Sequence, residues 1–391
     1  MDHSGEVRRR IFFFSFFFLR TFFSSHSVSS TGHARTRHLS ATIFVRLTLR
    51  FHPETVSVRL RSLLNMKHEL RKGIVHFWDL PWQNHVLLDS SFKKRLMAAF
   101  MRVTKTYYGA SKRTGISRPT IRNYKESSSA LLRIDYLLVL ARTVDGASFS
   151  PERIEQNILW IGHRLSKGIK NPRLPFDVRC RRGARFLAAI CNEGWISEGA
   201  YYSNTAQELR DSVKRDTLAI FGGDDETVRD WVKKNDQYLA FPSIIRDVLI
   251  VLTQFKGVKS VNNPPVPRFL THDPECILGW LEQTIADEGH VRYDSSIYRR
   301  EIMWRRSFDK RLAIRRLFED ECAMLRRINI TFTTYEIGTY RTKTGLEKVR
   351  MQIRLSRREN LRRLRPLITI PLQRKEKLFS ALINDFLRLP E

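Results

Sequence analysis

Two helix endings, 95 residues apart, constrain this chain more than anything else in it. They read Phe186-Leu-Ala-Ala-Ile-Cys-Asn-Glu193-Gly194 and Leu281-Glu-Gln-Thr-Ile-Ala-Asp-Glu288-Gly289. Each is a mostly apolar helical stretch that stops at an acid followed by Gly, the usual left-handed helix terminator. A carboxylate at a helix C-terminus is misplaced, because the macrodipole favours a cation there. Two such ends at matching positions ask for a compensating cation, and a divalent metal is the natural candidate.

Charge narrows the partner. The 391 residues carry a formal +29, which points to a polyanion, and nucleic acid fits better than a membrane in the absence of a membrane segment. Four cysteines, Cys180, Cys191, Cys276 and Cys322, lie far apart with no C-x-x-C pair, so neither a zinc ribbon nor a dense disulfide framework is indicated. Buried free thiols in a reducing cytoplasm are expected. Residues 1–65 differ from the rest: ten Arg, no Lys, and 10 of the 25 Phe. The apolar run Ile11 to Leu19 is interrupted at Arg20 and is too short to span a bilayer. The preferred origin of this segment is an upstream start ahead of a true start at Met66; a cleaved targeting segment and a disordered arm are the alternatives. Without it the charge is still +22, so the nucleic-acid expectation stands.

From Ser91 to Gly146 the pattern predicts short helices. Phe92, Leu96, Ala99 and Phe100 share one helical face. A second helix spans Thr106 to Arg113 and ends at Gly115; Ser117 then caps a third over Arg118 to Lys125, with Pro119 in its first turn. Leu131 to Val144 closes the bundle. This segment resembles the helix-turn-helix DNA-binding domain, and the domain is placed at 66–146. The resemblance implies that Arg118, Thr120, Arg122 and Asn123 read bases in the major groove, while Lys112, Arg113 and Lys125 contact phosphates. An ordinary basic bundle uses the same caps. Pro151 to Ile169 is predicted as another helix, within a helical linker over 147–179 that breaks at Asn171-Pro-Arg-Leu-Pro175.

Beyond the linker the chain says the same thing twice. In the second copy (268–391), a helix over Glu275 to Asp287 precedes extended pieces at His290–Tyr293 and Arg300–Phe308. A helix over Asp309 to Arg327, strands over Ile328–Tyr340 and Val349–Leu355 around a turn at Gly345, and helices over Glu359–Arg365 (capped by Ser356) and Arg374–Leu387 follow. In the first copy (180–267), a helix over Cys180–Asn192 leads to short strands at Trp195–Ser197 and Ala200–Ser203, and Asn204 caps a helix reaching Phe221. Tyr238 to Pro242 and the apolar Ile244 to Phe255 resist assignment.

The two motifs resemble the LAGLIDADG signature of homing endonucleases, and the order α-β-β-α-β-β-α is that family's lobe. The resemblance covers Arg181 to the C-terminus. It implies an α+β chain: a helical helix-turn-helix domain followed by two pseudo-symmetric αββαββα LAGLIDADG lobes forming a DNA-binding saddle, with the motif helices packed at a pseudo-twofold axis. One chain carrying both lobes implies a monomer. Glu193 and Glu288 match the family's metal-binding acids, here Glu in place of the commoner Asp. Ala188 and Ala189 match the small interface positions, where the second copy departs with Gln283 and Thr284. The implied chemistry is phosphodiester hydrolysis with Mg²⁺ or Mn²⁺ as cofactor, and Lys375 and Lys377 are the candidate basic groups. The expected partner is double-stranded DNA, with no membrane and a cytoplasmic location. A non-enzymatic helix-turn-helix regulator on a degenerate scaffold and an RNA-binding maturase are the competing readings.

Overall fold

In the computed structural model the residues described are 73–144, 146–233, 236–257, 259–294 and 299–388. The segment 1–65 and its apolar run lie outside them. The chain is α+β, with helices packed against several small antiparallel sheets. No helix among the described residues is long and apolar enough to cross a membrane.

Residues 84 to 170 form the first layer. Strand β1 (Asn84–Leu88) leads into α1 (Ser90–Thr104), whose Asp89 cap accepts from the Phe92 amide at 2.9 Å. Then come α2 (Tyr107–Thr114), α3 (Arg118–Glu126), β2 (Leu132–Arg133) and α4 (Ile134–Val144). The helical linker expected over 147–179 is instead mostly extended. After one short helix, Pro151–Glu155, come β3 (Ile158–His163) and β4 (Ile169–Lys170), giving a sheet in the order β2-β1-β3-β4. A short apolar run such as Ile158-Leu-Trp-Ile has no period that separates helix from strand. Pairing decides it: Val86 and Leu87 of β1 take Ile161 and Trp160 as partners.

Two consecutive units follow, with the same element order and the same sheet order. The first is α5 (Arg181–Asn192), β5 (Gly194–Ile196), β6 (Ala200–Ser203), α6 (Gln207–Phe221), β7 (Arg229–Lys233), β8 (Asp236–Phe241) and α7 (Ser243–Thr253). The second is α8 (Pro274–Asp287), β9 (His290–Asp294), β10 (Arg299–Asp309), α9 (Arg316–Arg327), β11 (Thr333–Arg341), β12 (Glu347–Leu355) and α10 (Arg358–Leu364), closed by α11 (Gln373–Arg388). The sheets run β5-β6-β8-β7 and β9-β10-β12-β11. Helix α9 starts seven residues later than expected, because Asp309 ends β10 opposite Lys348 and folds a turn around Arg311. Asn204 and Ser356 do not cap their helices: Asn204 makes a turn onto the Ala206 amide, and Arg357 holds the N-cap position of α10. Cys180 is exposed, against the expectation of buried thiols; Cys191, Cys276 and Cys322 are buried.

One buried carboxylate of the first unit reaches two strands of the first layer. Asp247 of α7, buried, accepts from Asn84 Nδ2 of β1 and contacts His163 Nε2 of β3, each at 2.9 Å, and Arg246 holds its other oxygen.

Candidate functional site

Helices α5 and α8 lie side by side and parallel. At their N-terminal ends Arg181 reaches Glu275 (3.2 Å) and Glu282 (2.6 Å), and Arg185 reaches Glu282 and Asp216. At their C-terminal ends Asn192 donates to Asp287 across the pair at 3.1 Å. These two residues are themselves 95 positions apart, so the two motifs meet through equivalent positions. Closeness depends on small residues. A Cβ on Gly279 would come within 2.3 Å of the Arg181 carbonyl, and Ala184, Ala188 and Ala189 are fully buried. Gln283 and Thr284, the departures of the second copy, are buried too, and Gln283 turns its amide onto Asp287 at 3.0 Å.

Each helix stops at its acid: Glu193 and Glu288 occupy the C-cap positions, still in right-handed conformation. The glycines after them act differently from the expectation. Neither Gly194 nor Gly289 is among the positive-φ glycines. A Cβ there would lie 2.7 Å from the Ile190 and Ile285 Cα atoms respectively, so Gly is required by close approach to the preceding turn. Glu193 senses its counterpart. Burial, then the charge of Glu288, raises the pKa of Glu193, against the pull of Lys259, Arg306 and Lys375. Burial likewise pushes Asp287 up to about 7, although Tyr202, Gln283 and Asn192 all donate to it.

The compensating cations at the helix ends come from the chain itself. Lys259 Nζ donates to the Ile190 (3.4 Å) and Asn192 carbonyls at the end of α5. Lys375 Nζ donates to the Ile285 (3.0 Å) and Ala286 (2.6 Å) carbonyls at the end of α8. Ile190 and Ile285 are again equivalent positions. An ammonium on the last carbonyls answers both the unpaired acceptors and the dipole. Desolvation brings Lys375 down to about 8 and lowers Lys259 as well. Lys375 therefore sits at the site, whereas Lys377, two residues along α11, is exposed. Sequence reasoning missed Lys259, which lies in the stretch between the two units.

A third basic group joins them. Arg306 of β10, 5% exposed, donates from Nη2 to Asn192 Oδ1 at 2.8 Å and from Nη1 reaches Glu288 at 3.4 Å, while Nε and Nη2 grip Glu321 of α9. Glu321 is fully buried and also accepts the indole N–H groups of Trp280 (3.1 Å) and Trp304 (3.0 Å). A cavity of about 250 Å³ opens here, lined among others by Asn192, Lys259, Glu288, Arg305 and Arg306. Among the described residues no group of three or more His, Cys, Asp or Glu is arranged to hold a metal ion. Two carboxylates are hard oxygen donors that suit Mg²⁺ when phosphate and water oxygens complete the shell.

The helix pair α2 and α3 presents the other basic surface. Gly115, with φ of 74°, ends α2, and Ser117 caps α3 by accepting from the Thr120 amide. Ile116, Ile121 and Tyr124 are buried beneath the turn. Lys112, Arg113, Arg118, Arg122, Asn123 and Lys125 are all exposed, and Thr120 is half-buried with its hydroxyl 2.7 Å from that of Ser117. Arg118 lies over Tyr108, and Arg122 and Lys125 over Tyr107, at 5.4 to 5.5 Å. Buried Lys93 of α1 anchors the end of α3 from below, donating to the carbonyls of Ser127 (2.9 Å) and Ala130 (2.8 Å).

Desolvation lowers Lys93 to about 8. Between pH 8 and the unfolded value near 10.5 the unfolded chain binds the extra proton, so stability rises with pH across that window. Lys93→Met, which leaves those carbonyls unpaired, is expected to lose about 2 kcal/mol at pH 7. The gap from wild type should widen by roughly 1–2 kcal/mol between pH 8 and 10. Urea denaturation of both proteins at the two pH values checks this; a constant gap contradicts it.

No protein-family model matches the chain, and no curated protein matches it either.

Proposed function

We propose that the chain is a sequence-specific, metal-dependent DNA endonuclease of LAGLIDADG type carrying a helix-turn-helix reader. The observation that supports this best is the convergence of equivalent groups. Two units of the same element and sheet order bring Glu193 near Glu288 and Asn192 onto Asp287, and Lys259 and Lys375 hold the matching ends of the two helices. In this reading the two units are the lobes of a saddle on duplex DNA, with the carboxylates over the scissile phosphates. A bound Mg²⁺ or Mn²⁺ supplies Lewis-acid polarisation of the phosphate and charge neutralisation. Glu193 and Glu288 hold it, Lys259 and Lys375 keep the helix ends in place, and α3 with Arg118, Thr120, Arg122 and Asn123 adds base contacts.

One observation favours the regulator alternative: Arg306 already pairs with Glu288, placing a fixed cation beside a carboxylate meant for a metal. The test is to incubate the full-length protein with a randomised plasmid library and Mg²⁺ or Mn²⁺ and to sequence new ends. Defined double-strand breaks support the nuclease. Specific DNA binding with no break under either metal supports the regulator, and retention of structured RNA over DNA supports the maturase.

A further inference from the structure

The outer face of the first unit's sheet carries four aromatic rings in a row. Trp195 of β5 stacks on Tyr201 of β6, with centroids 4.7 Å and planes 19° apart. Tyr201 meets Tyr238 of β8 edge-on at 5.7 Å, and Tyr238 lies nearly parallel to Trp231 of β7 at 6.2 Å. The Arg229 guanidinium sits over Trp231, 5.4 Å from the ring centre. Register produces the row: Trp195 is opposite Tyr201, Trp231 is opposite Tyr238, and Tyr201 and Tyr238 are diagonal neighbours. The alternate residues Ile196, Tyr202, Leu239 and Phe241 are buried on the inner face. The sheet therefore has its core without the outer rings.

Cross-strand aromatic pairs add modestly to a sheet; here Trp195 is exposed and Tyr201, Tyr238 and Trp231 are half-buried, and a contiguous, partly exposed aromatic surface invites association unless something is meant to cover it. The matching face of the second unit follows another plan. There Arg292 pairs with Glu301, Arg305 with Gln352, and Arg350 lies by Tyr340. Such forked polar groups suit the edges of paired bases. Rings suit base faces, which a duplex hides inside its own stack.

We propose that the outer face of β5, β6, β8 and β7 is a stacking platform for unpaired nucleotides. Trp195 and Trp231, at the two ends of the row, meet the base faces, Tyr201 and Tyr238 pack between them, and Arg229 meets the backbone. Four strands span about 14 Å, room for two or three bases. The +29 charge of the chain supplies the long-range attraction. Every base has a face to stack, so the platform tolerates sequence and selects strandedness. This role needs neither Glu193 nor Glu288 and is independent of cleavage.

The test uses the full-length protein in EDTA and fluorescein-labelled 12-mers: oligo(dT), oligo(rU) and a duplex, read by anisotropy. Trp195→Ala and Trp231→Ala are each expected to weaken single-strand binding on the order of tenfold and to leave duplex binding within about twofold. The slope of log affinity against log salt should not change, since stacking releases no counterions; Arg229→Ala should make it shallower by about 0.7. The dT and rU arms separate DNA from RNA. If an alanine variant lacks native circular dichroism, Trp195→Gln and Trp231→Gln, polar replacements on an outer sheet face, carry the same test. The proposal is overturned by folded variants that bind single strands as wild type does, or by equal loss on the duplex. It is also overturned if light scattering shows a wild-type dimer that these substitutions dissociate, which would make the face a contact between copies.

Discussion

If the chain is the nuclease proposed above, Glu193→Gln and Glu288→Gln are each expected to slow DNA cleavage by about 10²–10³-fold while DNA affinity stays within about twofold. In the proposed reading each carboxylate would hold the metal, and its loss would remove several kcal/mol of charge stabilisation at the transition state. Gln keeps the shape and the helix end, so binding by the basic surfaces remains. The two variants should differ in stability. Glu193 carries a raised pKa from burial and from the charge of Glu288, so Glu193→Gln relieves a like-charge contact and is expected to be neutral or slightly stabilising. Glu288 is an ion-pair partner of Arg306, and its replacement leaves that guanidinium less compensated. Single-turnover cleavage of a substrate plasmid in Mg²⁺, beside binding in EDTA, measures both terms. Lys375 holds the end of the helix that carries Glu288, so in the same reading Lys375→Met should cost about 10–100-fold, and Lys377→Met, on an exposed side chain, should cost nothing. Wild-type rates in both Glu variants would remove these residues from the chemistry.

Such a centre was only partly legible in the sequence. The motif helices could be read because their apolar period, their caps and their Gly-terminated ends are local signals, within a residue or two of the observed bounds. The long second-unit strands were legible for a similar reason: Arg299–Asp309 and Glu347–Leu355 are long and dense in Ile, Met, Trp, Phe and Val. Strands Arg229–Lys233 and Asp236–Phe241 are only five and six residues and start on polar residues, and pairing identifies them. The role of Gly194 and Gly289 was misread because a steric need for Gly leaves the same letter as a left-handed one. Lys259 was invisible because it caps a helix that ends 67 residues earlier, and no local pattern encodes that distance. The acidic ends did call for cations. The folded chain supplies ammonium groups at the backbone carbonyls and, through Arg306, a guanidinium at the Glu288 carboxylate.

Glu321→Ala is expected to be the most damaging single substitution to stability, at about 3–5 kcal/mol. Arg306 is buried and almost wholly dependent on Glu321 for its charge balance. Removing the carboxylate leaves a desolvated guanidinium with Glu288, itself 30% exposed, as its remaining acid. The indole N–H groups of Trp280 and Trp304 lose their acceptor in the same step, and each buried unpaired donor costs about 1–3 kcal/mol. Glu321→Gln should fall between wild type and alanine, because one amide oxygen still accepts while the amide N–H₂ faces donors. The double variant Arg306→Met with Glu321→Leu removes both charges and should recover part of the loss. It cannot recover all of it, since the two indoles stay unpaired. Thermal and urea unfolding of the four proteins measures this order. Arg306 also holds Asn192, whose amide donates to Asp287 across the motif pair, so the damage should reach the acidic centre: cleavage by Glu321→Gln is expected to drop under conditions where the protein remains folded. A loss below about 1 kcal/mol for Glu321→Ala, well short of the range for breaking a buried pair, would mean that Arg306 finds water or another acid when Glu321 is gone. The centre would then be open enough to solvate a cation, which bears directly on whether Glu288 is free to hold one.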